Sequence, residues 1–105
     1  MAQIESALRG DGTAVLRLVD EIDLAVVDQL VAGVRGCLAD ADAVQLDFRD
    51  VTFIDSSGLG ALVLVRGEAA RQGKRLSLVN VSHATSRLLR ITGLHDAFDV
   101  ALEHP

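Results

Sequence analysis

Two adjacent serines that follow an aspartate raise the question of chemistry in this chain. They lie in the stretch FIDSSGLGALVLV, residues 53–65, directly before a long apolar run. A serine hydroxyl can act as a nucleophile, accept a phosphate or cap a helix, and Asp55 adds a carboxylate beside it. Gly58 and Gly60 remove two Cβ atoms within one helical turn, so other groups can approach the backbone closely there.

The pattern around the serines predicts a strand, a loop and then a helix over about 57–72, which Gly73 would end. The segment from Asp55 to Gly58 would then lie at the carboxyl end of a strand and the amino end of a helix, where ligands collect in α/β folds. The unpaired N–H groups of a first turn favour a side-chain oxygen or a phosphate. Two glycines weaken such a helix by ~1 kcal/mol each relative to alanine, so their presence needs a reason.

The simplest structural role for a serine at this place is that of a helix N-cap. No capping box supports that role, because Leu59 and Gly60 stand three residues after Ser56 and Ser57, where Glu or Gln is wanted. A cap and a functional hydroxyl therefore both stay open on the residues alone.

Catalysis by the serine lacks its partner residues. Ser56 is outside the G-x-S-x-G frame of an esterase, and no sequence argument places His83, His95 or His104 beside it as a base. A phosphate-cradling P-loop would need a lysine after the glycines, and none follows.

Catalysis by an aspartate is the second enzymatic alternative. A phosphoacceptor at Asp55 would need an acidic pair near a second strand end and a lysine across the site. The single lysine, Lys74, is poorly placed for that and is expected at a solvated helix end. Asp47 and Asp50 come without a Cys/His set, so their spacing predicts no metal site. We expect neither a metal nor a cofactor.

The composition limits the partners of this chain of 105 residues. The formal charge of −5 and the three aromatic residues are unfavourable for binding nucleic acid or an anionic membrane surface. No secretory signal is visible, and no apolar run reaches the ~20 residues of a membrane span. A single cysteine, Cys37, rules out an internal disulfide and fits a reducing compartment, so we expect a cytoplasmic protein without membrane insertion. Cys37 itself is interpreted as a small core residue.

The remaining periodicities predict one α/β domain over residues 1–105. Strands are expected at 4–8, 13–19, 44–48, 76–81 and 98–100, and helices at 25–39, 57–72 and 84–92. A hairpin opens this alternating order, which predicts a mixed, mostly parallel sheet of four to five strands. Apolar Val44, Leu46 and Phe48 alternate with Gln45 and Asp47, which predicts three or four helices mainly on one face.

Helix ends are also marked in the sequence. Asp23 and Ser82 stand where the N-caps of the first and third helices are expected. Gly93 is expected to end the third helix.

The stretch DFRDVTFIDSSGLGALV resembles the signature of STAS domains, and more narrowly that of the bacterial anti-sigma factor antagonists. The core Asp55-Ser56-Ser57-Gly58-Leu59-Gly60 matches the six-residue motif of that family in full. Asp20-Glu21-Ile22-Asp23 is similar to the family's Gly-Glu-Leu-Asp, with Asp20 in place of the usual glycine. Ile91-Thr92-Gly93-Leu94 is similar to the segment after the third helix, while the short C-terminus leaves the family's final helix incomplete or absent.

The resemblance implies a binding protein with no catalysis of its own. Ser56 would accept a phosphate from an anti-sigma factor that is also a serine kinase, and a serine phosphatase would remove it. The unphosphorylated form would bind the anti-sigma factor and so release the sigma factor, and phosphorylation would end that binding. Asp23, Asp55, Ser57 and Gly58 would form the environment of the phosphate.

Leu59, Gly60 and Val63 are the contacts that we expect to offer a partner an apolar surface beside the serine. In the alternative, the chain is a non-switching STAS subunit of a signalling or transport complex, and the serine is a cap or a constant contact. An exposed strand edge would also permit a weak homodimer.

Overall fold

The computed structural model describes residues 4–102 and begins with a β-hairpin. β1 (Ile4–Leu8) and β2 (Thr13–Ile22) are antiparallel, and Gly12 in the turn between them has φ 84°. The elements that follow are α1 (Val27–Asp40), β3 (Ala43–Ile54), α2 (Ser56–Arg71), β4 (Arg75–Val81), α3 (His83–Ile91) and β5 (Asp99–Leu102). Short 3-10 turns at Leu24–Val26 and His95–Ala97 precede α1 and β5. No helix in residues 4–102 is long and apolar enough to cross a bilayer.

The five strands stand in the sheet in the order in which they occur in the chain. β1 is antiparallel to β2, and the pairs β2–β3, β3–β4 and β4–β5 are parallel. Because crossovers between parallel strands are right-handed and each one here moves in the same direction, the connecting helices fall on one face. The predicted mixed, mostly parallel sheet with an N-terminal hairpin is confirmed, with five strands.

The burial of β3 confirms that the helices cover one face of the sheet. Val44, Leu46 and Phe48 are buried, whereas Gln45 and Asp47 on the opposite face are only half-buried. The core is almost wholly aliphatic, and its largest fully buried side chains are Leu16, Leu18, Ile22, Leu30, Leu38, Leu46, Leu62, Leu78 and Leu89. The face of the sheet without helices remains partly exposed to solvent, as the alternation of apolar and polar residues in β3 predicts.

β2 and β3 both run farther than the sequence predicts. Their predicted segments, 13–19 and 44–48, end where polar residues interrupt the alternation of apolar ones, but the pairing continues through two register shifts to Ile22 and Ile54. Beside one of these shifts, Asp20 adopts φ 66°, in the left-handed region. The extension matters because it carries both strand ends to the motif.

The predicted helix ends are largely confirmed. Ser82 Oγ accepts the N–H of Thr85 at 3.1 Å and so caps α3. Gly73 and Gly93 follow α2 and α3 with φ 69° and 76°. The first predicted helix, 25–39, is instead divided into a 3-10 turn and α1.

Two contacts join α1 to α2 and to the turn that follows α2. Arg35 Nε donates to Glu68 Oε1 at 2.9 Å, and Arg35 Nη2 lies 2.7 Å from the same oxygen. The Lys74 ammonium donates to the carbonyl oxygen of Leu38 near the end of α1. Lys74 is half-buried and satisfies a carbonyl that α1 leaves unpaired, so the expectation of a solvated side chain needs correction, whereas its expected place at the end of a helix is confirmed.

Candidate functional site

The serine motif lies where two neighbouring parallel strands end. Ile22 of β2 pairs with Ile54 of β3, so Asp23 and Asp55 leave the sheet side by side. The N–H of Asp55 donates to the carbonyl oxygen of Ile22 at 3.3 Å. The two strand ends are thereby tied together, and Asp23 is brought to the motif as the resemblance implies.

Both carboxylates at these strand ends act as helix caps. Asp55 Oδ1 accepts the N–H of Gly58 at 3.0 Å and is the N-cap of α2. Asp23 Oδ1 accepts the N–H of Ala25 at 3.0 Å and caps the 3-10 turn, as predicted. Each carboxylate satisfies a backbone donor that a helix start would otherwise leave unpaired.

The capping role of Asp55 leaves both serine hydroxyls without that role. Ser56 is the first residue of α2 and is exposed, while Ser57 is half-buried. Neither hydroxyl has a hydrogen-bond partner among residues 4–102. The interpretation of a serine as the N-cap is therefore wrong, and the Ser56 hydroxyl faces solvent at the positive end of the helix dipole.

The two glycines of the motif differ in their surroundings. A Cβ at Gly58 would lie 2.5 Å from the carbonyl oxygen of Ile22 and 2.7 Å from Ile54 Cγ1. Among the described residues, a Cβ at Gly60 would meet nothing within 4 Å, and Gly60 is exposed. The fold therefore requires the first glycine, because only a residue without Cβ allows α2 to start so close to β2.

The apolar run of α2 is divided between core and surface. Leu59 is 8% exposed and packs in the core, so the expectation that its side chain contacts a partner needs correction. Val63 and Leu64 are 44% and 47% exposed. The apolar surface on α2 is therefore formed by Val63, as expected, and by Leu64 next to it.

Two further exposed apolar side chains flank the motif, and the sequence analysis did not assign them. Phe53 at the end of β3 is 54% exposed, and Leu24, directly after Asp23, is 75% exposed. Register shifts against β2 break the alternation of β3 after Phe48, so the sequence carries no continuous signal that reaches Phe53.

A shallow acidic groove borders the site on the side of β2. It has a volume of about 660 Å³ and is lined by Asp20, Glu21, Asp23, Ala25, Val26, Gln29 and Thr52. None of these residues carries a positive charge, so the groove favours cationic groups and repels an added anion.

The alternative of an aspartyl phosphoacceptor is not supported by the geometry. Lys74 follows the C-terminal end of α2, and the 16 residues of that helix separate it from Asp55 by about 24 Å.

A catalytic base for Ser56 is likewise not found among the histidines that the structure describes. His83 and His95 make no hydrogen bond to Ser56 in the described chain, and His104 lies outside residues 4–102.

Cys37 is the remaining nucleophilic group of the sequence. Its side chain is 8% exposed within α1. Burial, and secondarily the nearby Asp40, raise the pKa of the thiol, so the reactive thiolate is disfavoured. The interpretation of Cys37 as a core residue is confirmed.

Comparison with known protein families shows to which family this chain belongs. Residues 6–103 match the family model described as "Mlab, STAS domain". The chain belongs to the STAS domain family. The matched region contains all of the site residues named above, from Asp20 to Leu64.

Two curated STAS relatives match about half of the chain. The anti-sigma-B factor antagonist of Bacillus subtilis (strain 168) is 38% identical over 58 residues, which are 55% of this chain and 53% of that protein. A STAS-domain containing protein of Pseudomonas aeruginosa (strain UCBPP-PA14) is 34% identical over 56 residues, which are 53% and 55% of the two chains. The chain thus spans about half the length of these curated relatives.

Solved structures share the STAS fold over more of the chain. An anti-sigma factor antagonist from Mycobacterium paratuberculosis has a TM-score of 0.84 at 24% identity, over 96% of this chain and 86% of that one. Unphosphorylated SpoIIAA has a TM-score of 0.75 at 20% identity, over 98% and 90%. Phosphorylated SpoIIAA from Bacillus has a TM-score of 0.74 at 24% identity, over 96% of this chain and 93% of that one. A sulfate transporter family protein from Wolinella succinogenes has a TM-score of 0.78 at 22% identity, over 86% of this chain and 76% of that one.

The left-handed conformation of Asp20 gives a physical reason for the glycine that the STAS pattern usually has there. Glycine adopts positive φ without penalty, and aspartate is among the residues that tolerate it best. Here Asp20 keeps φ 66° while Ile22 and Ile54 still pair. The departure from the STAS pattern therefore leaves the strand ends at the site in place.

Proposed function

We propose that this STAS domain is an anti-sigma factor antagonist whose binding is switched by phosphorylation of Ser56. Its partner would be an anti-sigma factor with serine kinase activity, which it captures while Ser56 carries a free hydroxyl. Phosphorylation would release that partner, and a serine phosphatase would restore binding. We expect the domain to act by binding alone, in the cytoplasm, where its single cysteine stays reduced.

The observation that best supports this function is the state of the Ser56 hydroxyl. It is exposed at the first residue of α2, and Asp55 has taken over the capping role that would otherwise occupy a serine. The similarity to the anti-sigma-B factor antagonist of Bacillus subtilis gives the same role independent support.

A phosphate on Ser56 is compatible with the fold. It would add about −1.5 to −2 charges at the N-terminus of α2, where free N–H groups and the helix dipole favour an anion. The phosphorylated and unphosphorylated forms of SpoIIAA resemble this chain to the same degree, with TM-scores of 0.74 and 0.75. We therefore propose a block at the binding surface and not a refolding of the domain.

The binding surface that we propose surrounds Ser56 with apolar side chains. Val63 and Leu64 lie about two turns after Ser56 along α2, and Phe53 and Leu24 flank the strand ends. Contacts of this kind exclude water from an interface, so two new negative charges beside them would be costly to bury. Asp23 and Asp55 would add to the repulsion of any acidic partner group.

The test uses the chain purified from its native host. Mass measurement of the peptide that spans Ser56 should find a phosphate in the native host that is absent from the Ser56→Ala variant. Ser57→Ala is the matched control, since it alters the adjacent hydroxyl and should retain the phosphate. A phosphate that persists in Ser56→Ala would contradict the assignment.

Binding to the purified anti-sigma factors of the native host gives the second measurement. Ser56→Ala should bind like the wild-type chain, whereas Ser56→Asp should bind roughly tenfold more weakly or worse, which corresponds to ~1.4 kcal/mol. Equal binding by both variants would favour a constant contact over a switch.

A constitutive subunit of a transport complex is the second candidate function. The fold shared with a sulfate transporter family protein favours it. In that case the native chain would carry no phosphate, and Ser56→Asp would assemble like the wild-type chain.

A further inference from the structure

No contact within residues 4–102 requires a glycine at position 60. Gly60 lies in the second turn of α2 and is exposed, and a Cβ there would meet nothing within 4 Å in that part of the chain. It is not among the glycines of residues 4–102 that have positive φ. A helical glycine costs ~1 kcal/mol relative to alanine, and Gly58, unlike Gly60, has a packing contact that explains it.

The position of Gly60 relative to Ser56 suggests what the missing side chain does. Residues four apart are neighbours on one helix face, and helical side chains tilt toward the N-terminus. A side chain at position 60 would therefore cover the turn N-terminal to its own Cα, which is the turn that holds Ser56. The Asp55 cap and the close approach of Gly58 to Ile22 hold the backbone of that turn in place.

We propose that Gly60 determines access to Ser56, because its missing side chain leaves open the path of a kinase and a phosphatase to the hydroxyl. This inference rests on the proposed function of Ser56. In the forward step Ser56 Oγ bonds to the γ-phosphorus of ATP, the bond from that phosphorus to the β,γ-bridging oxygen breaks, ADP leaves and a base of the kinase takes the hydroxyl proton. In the reverse step water attacks the phosphorus, the bond from phosphorus to Ser56 Oγ breaks, Oγ takes up a proton to regenerate the hydroxyl, and inorganic phosphate is released.

Phosphoryl transfer makes such access critical. The attacking and leaving oxygens must stand roughly in line, so a kinase must bring both ATP and its own base to one exposed hydroxyl. A leucine at position 60 would occupy part of that space without disturbing the core, because the position is open.

The test compares two exposed helical glycines. Gly36 in α1 is the matched control, since it is also exposed and a Cβ there would also meet nothing within 4 Å. Gly60→Leu, Gly60→Ala, Gly36→Leu and Gly36→Ala should all fold with unchanged or higher melting temperatures. The alanine pair keeps the test valid if a leucine variant fails to fold.

The first readout is chemical and needs no kinase. In a Ser56→Cys background, the introduced thiol reacts with a bulky disulfide reagent, while the buried Cys37 reacts slowly. Gly60→Leu should slow the fast reaction roughly tenfold and Gly60→Ala less, and Gly36→Leu should leave it unchanged. An unaltered rate in Gly60→Leu overturns the inference.

The second readout is phosphate on Ser56 in chains purified from the native host. The wild-type chain and Gly36→Leu should carry it, whereas Gly60→Leu should carry roughly tenfold less. Equal phosphate in Gly60→Leu and the wild-type chain overturns the role of Gly60 and leaves the proposed function intact. A wild-type chain without phosphate on Ser56 overturns both.

Discussion

The carbonyl oxygen of Ile22 would lie 2.5 Å from a Cβ atom at position 58, closer than any relaxed contact allows. The same oxygen accepts the N–H of Asp55 at 3.3 Å. The end of β2 and the first turn of α2 are therefore in direct backbone contact. That contact holds Ser56 and Asp23 at one edge of the sheet.

Gly58→Ala should destabilise the domain because the new methyl group meets backbone that cannot rotate away. Forced overpacking of this kind costs ~1–3 kcal/mol, which outweighs the gain in helix propensity. The free energy of unfolding in urea measures the effect. Gly60→Ala is the control and should stabilise by up to ~1 kcal/mol, so equal effects of the two substitutions would contradict the different roles of the glycines.

Asp55→Ala should destabilise the domain by ~1 kcal/mol, because α2 loses its N-cap. Asp55→Asn should retain most of the stability, since an amide oxygen can still accept the N–H of Gly58. Urea unfolding of the three chains checks this. If Asn were as damaging as Ala, the negative charge at the helix start would matter more than the hydrogen bond.

The sequence predicts the fold well where a single period governs a segment. The alternation of Val44, Leu46 and Phe48 predicts both β3 and its covered face, and Ser82 and Gly93 mark the ends of α3. The two-residue alternation no longer predicts the strand after Phe48, because register shifts against β2 break the alternation there. The second half of β3, including the exposed Phe53, was therefore missed.

The sequence predicts which residues form the candidate site better than it predicts how they are arranged in space. Motif and resemblance together singled out Ser56 and Asp23, but only the pairing of strand ends brings Asp23 beside the motif. The orientation of α2 about its axis decides that Leu59 is buried and Val63 is exposed, and nearly continuous apolar residues carry no such information. The pairing of Arg35 with Glu68 depends on the same orientation.

Asp20 provides a test of the left-handed position at the end of β2. Asp20→Val should destabilise by ~1–2 kcal/mol, because a β-branched residue tolerates φ 66° poorly. Asp20→Gly should change the free energy of unfolding by less than ~1 kcal/mol, since relief of strain offsets the greater freedom of the unfolded chain. A valine variant as stable as the glycine variant would contradict the requirement of the fold for positive φ at this position.

The pair Arg35–Glu68 should make the stability of the domain depend on pH in the acid range. Its hydrogen bonds, and then the charge of Arg35, hold the pKa of Glu68 below its usual value. The pair therefore stabilises the fold above the pKa that Glu68 has in the unfolded chain, and this contribution is lost as the pH falls through the lower, folded pKa. Melting temperatures from neutral pH to pH ~3 compare the wild-type chain with Glu68→Gln, and the difference should be largest at neutral pH and vanish in acid. Arg35→Gln should reproduce the profile of Glu68→Gln, and high salt should reduce the difference. A difference that persists unchanged in acid would mean that Glu68 acts through packing and not through its charge.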